Sequence, residues 1–177
     1  MTPAQLKSIT LEGFERMFNN GDLDYVDHGI APGAVDHQEP EGTDFRSHLK
    51  EVISVLRTAF PDLRFEVHEV LAEGEIVACR STMTGTHKGP LDIGPMAALP
   101  ITGARVAVPH MHFFRYNQDG RVTDLWHTWN TLLLARQLGA PAPDLRVARR
   151  RPEDSSEPGG ACWLRSSEHP VTTVFVC

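Results

Sequence analysis

Cysteine is scarce: 177 residues hold only three. Cys79 lies in a strand-like run, while Cys162 and Cys177 fall near the C-terminal end. That number and spacing exclude a disulfide framework and a cysteine metal site. Long apolar runs are also missing. No stretch approaches the roughly 18 consecutive apolar residues that a membrane-crossing helix needs. The opening MTPAQLKSITLEGFERMF is interrupted by Lys7, Glu12, Glu15 and Arg16, so it lacks the apolar block of a secretory signal. The expectation is a cytoplasmic protein with no membrane partner. Positive charge is in deficit, with 17 Lys and Arg against 23 Asp and Glu and a net charge of −6. This argues against nucleic acid as a partner, because phosphate binding needs clustered cations. No G-x-S-x-G elbow, G-x-G-x-x-G turn or phosphate loop is present. What remains is 41% apolar sequence, enough for a core.

The periodicity of that apolar content changes along the chain. Leu6, Ile9, Phe14, Met17 and Phe18 recur at helical spacing behind Thr2 and Pro3, a capping and first-turn pair. Residues 21–43 read as an irregular connection. A second helix follows Thr43, taken as its cap, with Phe45, Leu49, Val52, Ile53 and Leu56 on one face. Strand alternation then takes over in residues 63–71, 75–84, 104–116 and 121–129, the last two joined by an Asp119-Gly120 turn. A short closing helix over 131–138 ends at Gly139. Helices followed by hairpin-linked strands predict an α+β fold, with helices covering one face of a curved antiparallel sheet. Such a sheet leaves a concave pocket at its open end. Residues 1–140 read as one domain. Residues 141–177 are rich in Pro, Gly, Ser and Arg, have balanced charge and keep no period before the final VTTVFVC, so disorder is expected there.

Several segments carry a resemblance in order and spacing. They are Ala31-Pro32-Gly33-Ala34-Val35-Asp36-His37, Ala59-Phe60-Pro61-Asp62-Leu63, Gly85-Thr86-His87-Lys88-Gly89-Pro90 and Pro100-Ile101-Thr102-Gly103. Phe114-Arg115, Asp119-Gly120-Arg121, Trp126-His127-Thr128-Trp129-Asn130 and Arg136-Gln137-Leu138-Gly139 complete the set. Together they resemble the SnoaL-like polyketide cyclase, or ester cyclase, family of the NTF2-like superfamily. The resemblance implies a cone-shaped barrel with a buried apolar cavity and a homodimer. It also implies aldol-type ring closure in secondary metabolism, on a small hydrophobic carbonyl-bearing substrate, with no metal and no organic cofactor. Relatives usually end their last long strand in Trp-Asp-x-x-Asp, one Asp serving as acid/base. Here His127 and Asn130 stand at those positions. A short insertion around residues 93–98 lengthens a connection at the pocket mouth.

The candidate chemistry follows from these residues. A general base works best with a pKa near ambient pH, and an unperturbed imidazole sits at about 6.5. His112 and His127 are equidistant from the Asp119-Gly120 turn, so antiparallel pairing makes them cross-strand neighbours. His110 shares the face of His112. The expected catalytic set is His127 and His112, with Asn130 as hydrogen-bond donor to an enolate oxygen. His37, His110, Trp126 and Trp129 are the expected substrate contacts. Blander readings stand beside these: histidines on the outer sheet face, His37 bonded to loop backbone, and tryptophans in the core or an interface. His87 reads as structural, and His110-x-His112 is too weak a motif to assign a metal. A cavity that binds without catalysis, or a hydrolase or hydratase of the same fold, is the alternative function. The outer sheet face, with Val106, Phe113 and Trp129, is the expected dimer surface.

Overall fold

Apolar spacing alone builds most of what the computed structural model shows. It describes residues 1–93, 96–97 and 99–140. The Pro/Gly/Ser-rich tail, and the expectation of disorder in it, lie outside these described residues. Helix α1 (Pro3–Gly13) starts in a capping box: Thr2 Oγ1 accepts from the Gln5 N–H at 3.3 Å, and Gln5 Oε1 accepts from the Thr2 N–H at 2.8 Å. The chain then widens into a π-type turn, Phe14–Asn19, with the Asn20 N–H reaching back to the Glu15 carbonyl. Helix α3 (Phe45–Ala59) buries Phe45, Leu49, Ile53, Leu56 and Ala59 on one face. Its cap is Asp44 rather than the expected Thr43: the Asp44 carboxylate accepts from the Ser47 N–H at 2.8 Å.

The expected irregular connection contains two elements instead, helix α2 (Asp24–Gly29) and strand β1 (Ile30–Asp36). The sheet continues with β2 (Arg64–Glu73), β3 (Ile76–Thr86), β4 (Arg105–Tyr116) and β5 (Val122–Trp129), and helix α4 (Thr131–Gln137) follows. Its spatial order is β1-β5-β4-β3-β2. The β2–β3–β4–β5 meander is antiparallel as expected, whereas β1 joins β5 in parallel. The result is the α+β NTF2-like architecture, a curved and unclosed sheet packed against N-terminal helices. Among the described residues no helix is long and apolar enough to cross a membrane.

Strand alternation decides what faces the helices. Along β4, Val106, Val108, His110, His112 and Tyr116 are buried and Phe114 is half-buried, while the residues alternating with this row are exposed. Val106 therefore belongs to the core, not to the outer face first assigned to it, and Trp129 likewise turns inward to the cavity. Met111 and Phe113 remain outside, each about half exposed.

Candidate active site

Between the helices and the concave face of the sheet lies a cavity of about 430 Å³, a size ordinary for small-molecule sites. Phe14, Met17 and Phe18 of the wide turn, Val52 and Leu56 of α3, and Phe65, Met83 and Phe114 of the sheet give it apolar walls. Into these walls the sheet inserts His110, His112 and His127. The hairpin register pairs His112 directly with His127, and His110 with Trp129. The ring centroids of His112 and His127 are 5.9 Å apart, and those of His110 and His112 are 5.7 Å apart.

The carboxylate that residues 127 and 130 lack comes from β1. Asp36 is buried, and its Oδ2 lies 3.3 Å from His127 Nε2. The residues after it strap β1 to β5. The His37 N–H donates to the Leu125 carbonyl, and Gln38 Oε1 accepts from the His127 N–H at 2.6 Å. Glu39 reaches the other way, placing Oε1 3.2 Å from His48 Nε2 on α3, and both side chains line the cavity. Four consecutive residues, 36–39, thus hold two carboxylates against two cavity imidazoles.

The three sheet histidines sit in different surroundings. His110 stacks on Phe65 and meets the edge of Trp129; His112 stacks on Phe114 and meets Phe14 edge-on. Neither Nδ1 has a hydrogen-bond partner. Burial pushes His110 down to about 3, with the charge of His127 adding to the effect. Burial lowers His112 well below the ordinary imidazole value as well, with His110 and His127 contributing. Both rings are therefore neutral across physiological pH. Cys79, beside His112 on β3, is a buried thiol pushed up to about 12, which leaves it a poor nucleophile.

Three residues singled out in the sequence lie elsewhere. Asn130 does not line the cavity; its Oδ1 accepts from the Leu133 N–H at 2.8 Å and caps α4, so its side chain is committed to the helix. His37 is on the outer face, stacked on Trp126 at 4.4 Å, with Nε2 2.9 Å from Asp124 Oδ1. Trp126 is held between that ring and the Arg115 guanidinium, 5.4 Å from its centroid. The reason is parity: Leu125, His127 and Trp129 of β5 line the cavity, so the residues between them point away. His87 is structural, accepting from the Thr102 N–H. His37 cannot join His110 and His112 around an ion, and among the described residues no three metal-ligating side chains converge.

A mostly apolar cavity, roofed by helices, floored by a curved sheet and lined by a few buried imidazoles and carboxylates, defines an NTF2-like cavity protein. A family model for SnoaL-like polyketide cyclases matches residues 8–138. The chain belongs to that family. Among solved structures, AclR of Streptomyces galilaeus, a candidate hydroxylase, is similar at 29% identity and a TM-score of 0.67, over 78% of this chain and 83% of that one. IdmH of Streptomyces antibioticus, a candidate polyketide cyclase, is similar at 28% identity and a TM-score of 0.63, over 77% and 99%. TsrD of Streptomyces laurentii shares the fold at 23% identity and a TM-score of 0.68, over 80% and 99%. No curated protein sequence matches the chain.

Proposed function

We propose that this protein is a cofactor-free, cyclase-type enzyme for a small hydrophobic carbonyl compound, with His127 as its general base. The observation that carries the reading is the buried Asp36 carboxylate 3.3 Å from His127 Nε2, at the edge of an apolar cavity. The Asp36 carboxylate stands within ion-pair distance of Nε2 and sets a negative charge beside the ring that receives the proton. His127 removes a proton from carbon between two carbonyls. The resulting carbanion forms the new C–C bond at a third, separate carbonyl carbon, whose oxygen takes up the proton that His127 carries. Asp36 stabilises the imidazolium between these steps. The likeness to IdmH supports cyclisation as the reaction type.

The substrate is to be found by purifying the protein from its native host and identifying bound small molecules by mass spectrometry. On that compound, His127→Ala is expected to lower turnover by about 10²-fold or more, the scale of a single general base. Asp36→Asn is expected to lower it too while the ligand still binds. Full turnover by His127→Ala would overturn the assignment. A bound compound released unchanged by the wild type would favour a binding protein instead.

A further inference from the structure

His110 and His112 occupy cavity wall that the proposed base does not need. Their placement is costly: two polar rings stand in a strand row that is otherwise Val106, Val108, Phe114 and Tyr116. They are 7% and 9% exposed, and each has a buried Nδ1 with no partner. We infer that these two imidazoles are neutral Nε2–H donors forming an oxyanion pocket, which fits the site to a ring-bearing substrate whose oxygen gains negative charge as an enolate or phenolate.

The argument starts from the orphaned atoms. A buried N–H without an acceptor is rarer in folded proteins than a lone pair without a donor. The ring proton therefore belongs on Nε2, and the bare Nδ1 is the nitrogen left in the wall. Both rings line the cavity, and Nε2 is not among the sealed, unpartnered atoms, so the N–H edge is the one open to a ligand. Protonating both nitrogens would restore an orphaned donor and add charge beside His127. The ionisable groups around the pair are His127 and Asp36 toward β1, and Cys79 beside His112 on β3. Tyr116 lies further along β4, its hydroxyl bonded to Thr10, and Tyr25, Glu39, His48, Glu51 and Asp92 line the rest of the cavity. Against the two rings themselves the structure sets Phe14, Phe65, Phe114 and Trp129. In such a setting a neutral donor stabilises developing charge at an oxygen without itself giving up a proton. The aromatic walls favour a flat, ring-bearing ligand.

This inference deepens the proposed function and rests on it only for the identity of the base. Two measurements on the full chain test it without turnover. Ring nitrogen NMR, assigned with His110→Phe and His112→Phe, is expected to show both rings as the Nε2–H tautomer, with no titration through the ordinary imidazole range. Binding is compared for lawsone, a naphthoquinone whose enol is ionised at neutral pH, and menadione, which carries a methyl group in place of that hydroxyl. The wild type is expected to favour lawsone, and each Phe variant to lose about tenfold of that preference, the scale of one charge-assisted hydrogen bond. His112→Gln, which keeps an N–H donor, is expected to retain part of it. An Nδ1–H tautomer, ordinary titration of either ring, or no preference for lawsone in the wild type would overturn the inference. So would Phe variants with an undiminished preference. Both readouts are taken without turnover, so loss of the oxyanion pocket is told apart from loss of the base.

Discussion

The residue that changes the reading of this site is Asp36. His112 and His127 were legible from the sequence, because the Asp119-Gly120 turn fixes a hairpin register and period-two alternation does the rest. Asp36 was not. It stands in a Pro- and Gly-containing stretch with no motif, and its partner is 91 positions away, beyond any local pattern. Asn130 shows the opposite failure. Its place in the family pattern suggested chemistry, but an Asn before Thr131-Leu132-Leu133-Leu134 is also a strong helix cap, and the cap won. The buried His110 has a consequence for acid stability. Its folded value of about 3 lies below the ordinary imidazole value of 6.5, so the unfolded chain takes up a proton that the folded ring refuses. The contribution is complete above pH 6.5, falls as the pH is lowered, and is gone near pH 3. Urea unfolding at pH 7 and pH 4 should show a loss for the wild type, on the order of a few kcal/mol from this ring. In His110→Phe that part of the loss should be absent.

At the scale of elements, helices α1, α3 and α4 and the four-stranded meander follow from apolar periods of 3.6 and 2, whereas α2 falls in a stretch read as an irregular connection and a register shift between Val67 and Glu69 interrupts β2. Strand β1 does not announce itself. Pro32 and Gly33 break its alternation, Gly33 takes a left-handed φ of 73°, and its register against β5 shifts between Ile30 and Val35. Its single neighbour is the last strand of the sheet, in parallel, a pairing that no hairpin turn signals. The short helix α4 is a better-defined case. Asn130→Ala removes the acceptor of the Leu133 N–H and is expected to cost about 1 kcal/mol of stability. Thermal unfolding and turnover measured together check it: a lower midpoint with nearly unchanged turnover is expected, since the side chain does not line the cavity.

For the whole molecule, the convex side of the sheet is as informative as the cavity. The register lines up Leu71, Ala78, Phe113 and Trp126 across four strands, with Met111 beside them. Leu71, Met111 and Phe113 are 68%, 53% and 51% exposed, an apolar patch of the kind that marks an association surface. We propose a two-fold homodimer through this face, with Phe113 rather than Val106 or Trp129 near its centre. Sedimentation at micromolar concentration should give about twice the 19.7 kDa of one chain. Phe113→Lys should shift it to the single-chain mass while leaving the cavity intact. A wild type sedimenting as one chain would refute the dimer.

The strap from β1 to β5 also sets a timetable for synthesis. Gln38 grips the His127 backbone across 89 residues of chain. At an elongation rate of about 5–20 residues per second, roughly 5 to 20 seconds separate the emergence of these two partners from a ribosome. Through that interval β1 has no strand to pair with, and the Asp36 carboxylate stays in water. The Asp36–His127 contact forms only after β5 docks, so in a nascent chain the proposed site is incomplete until nearly the whole domain has been made.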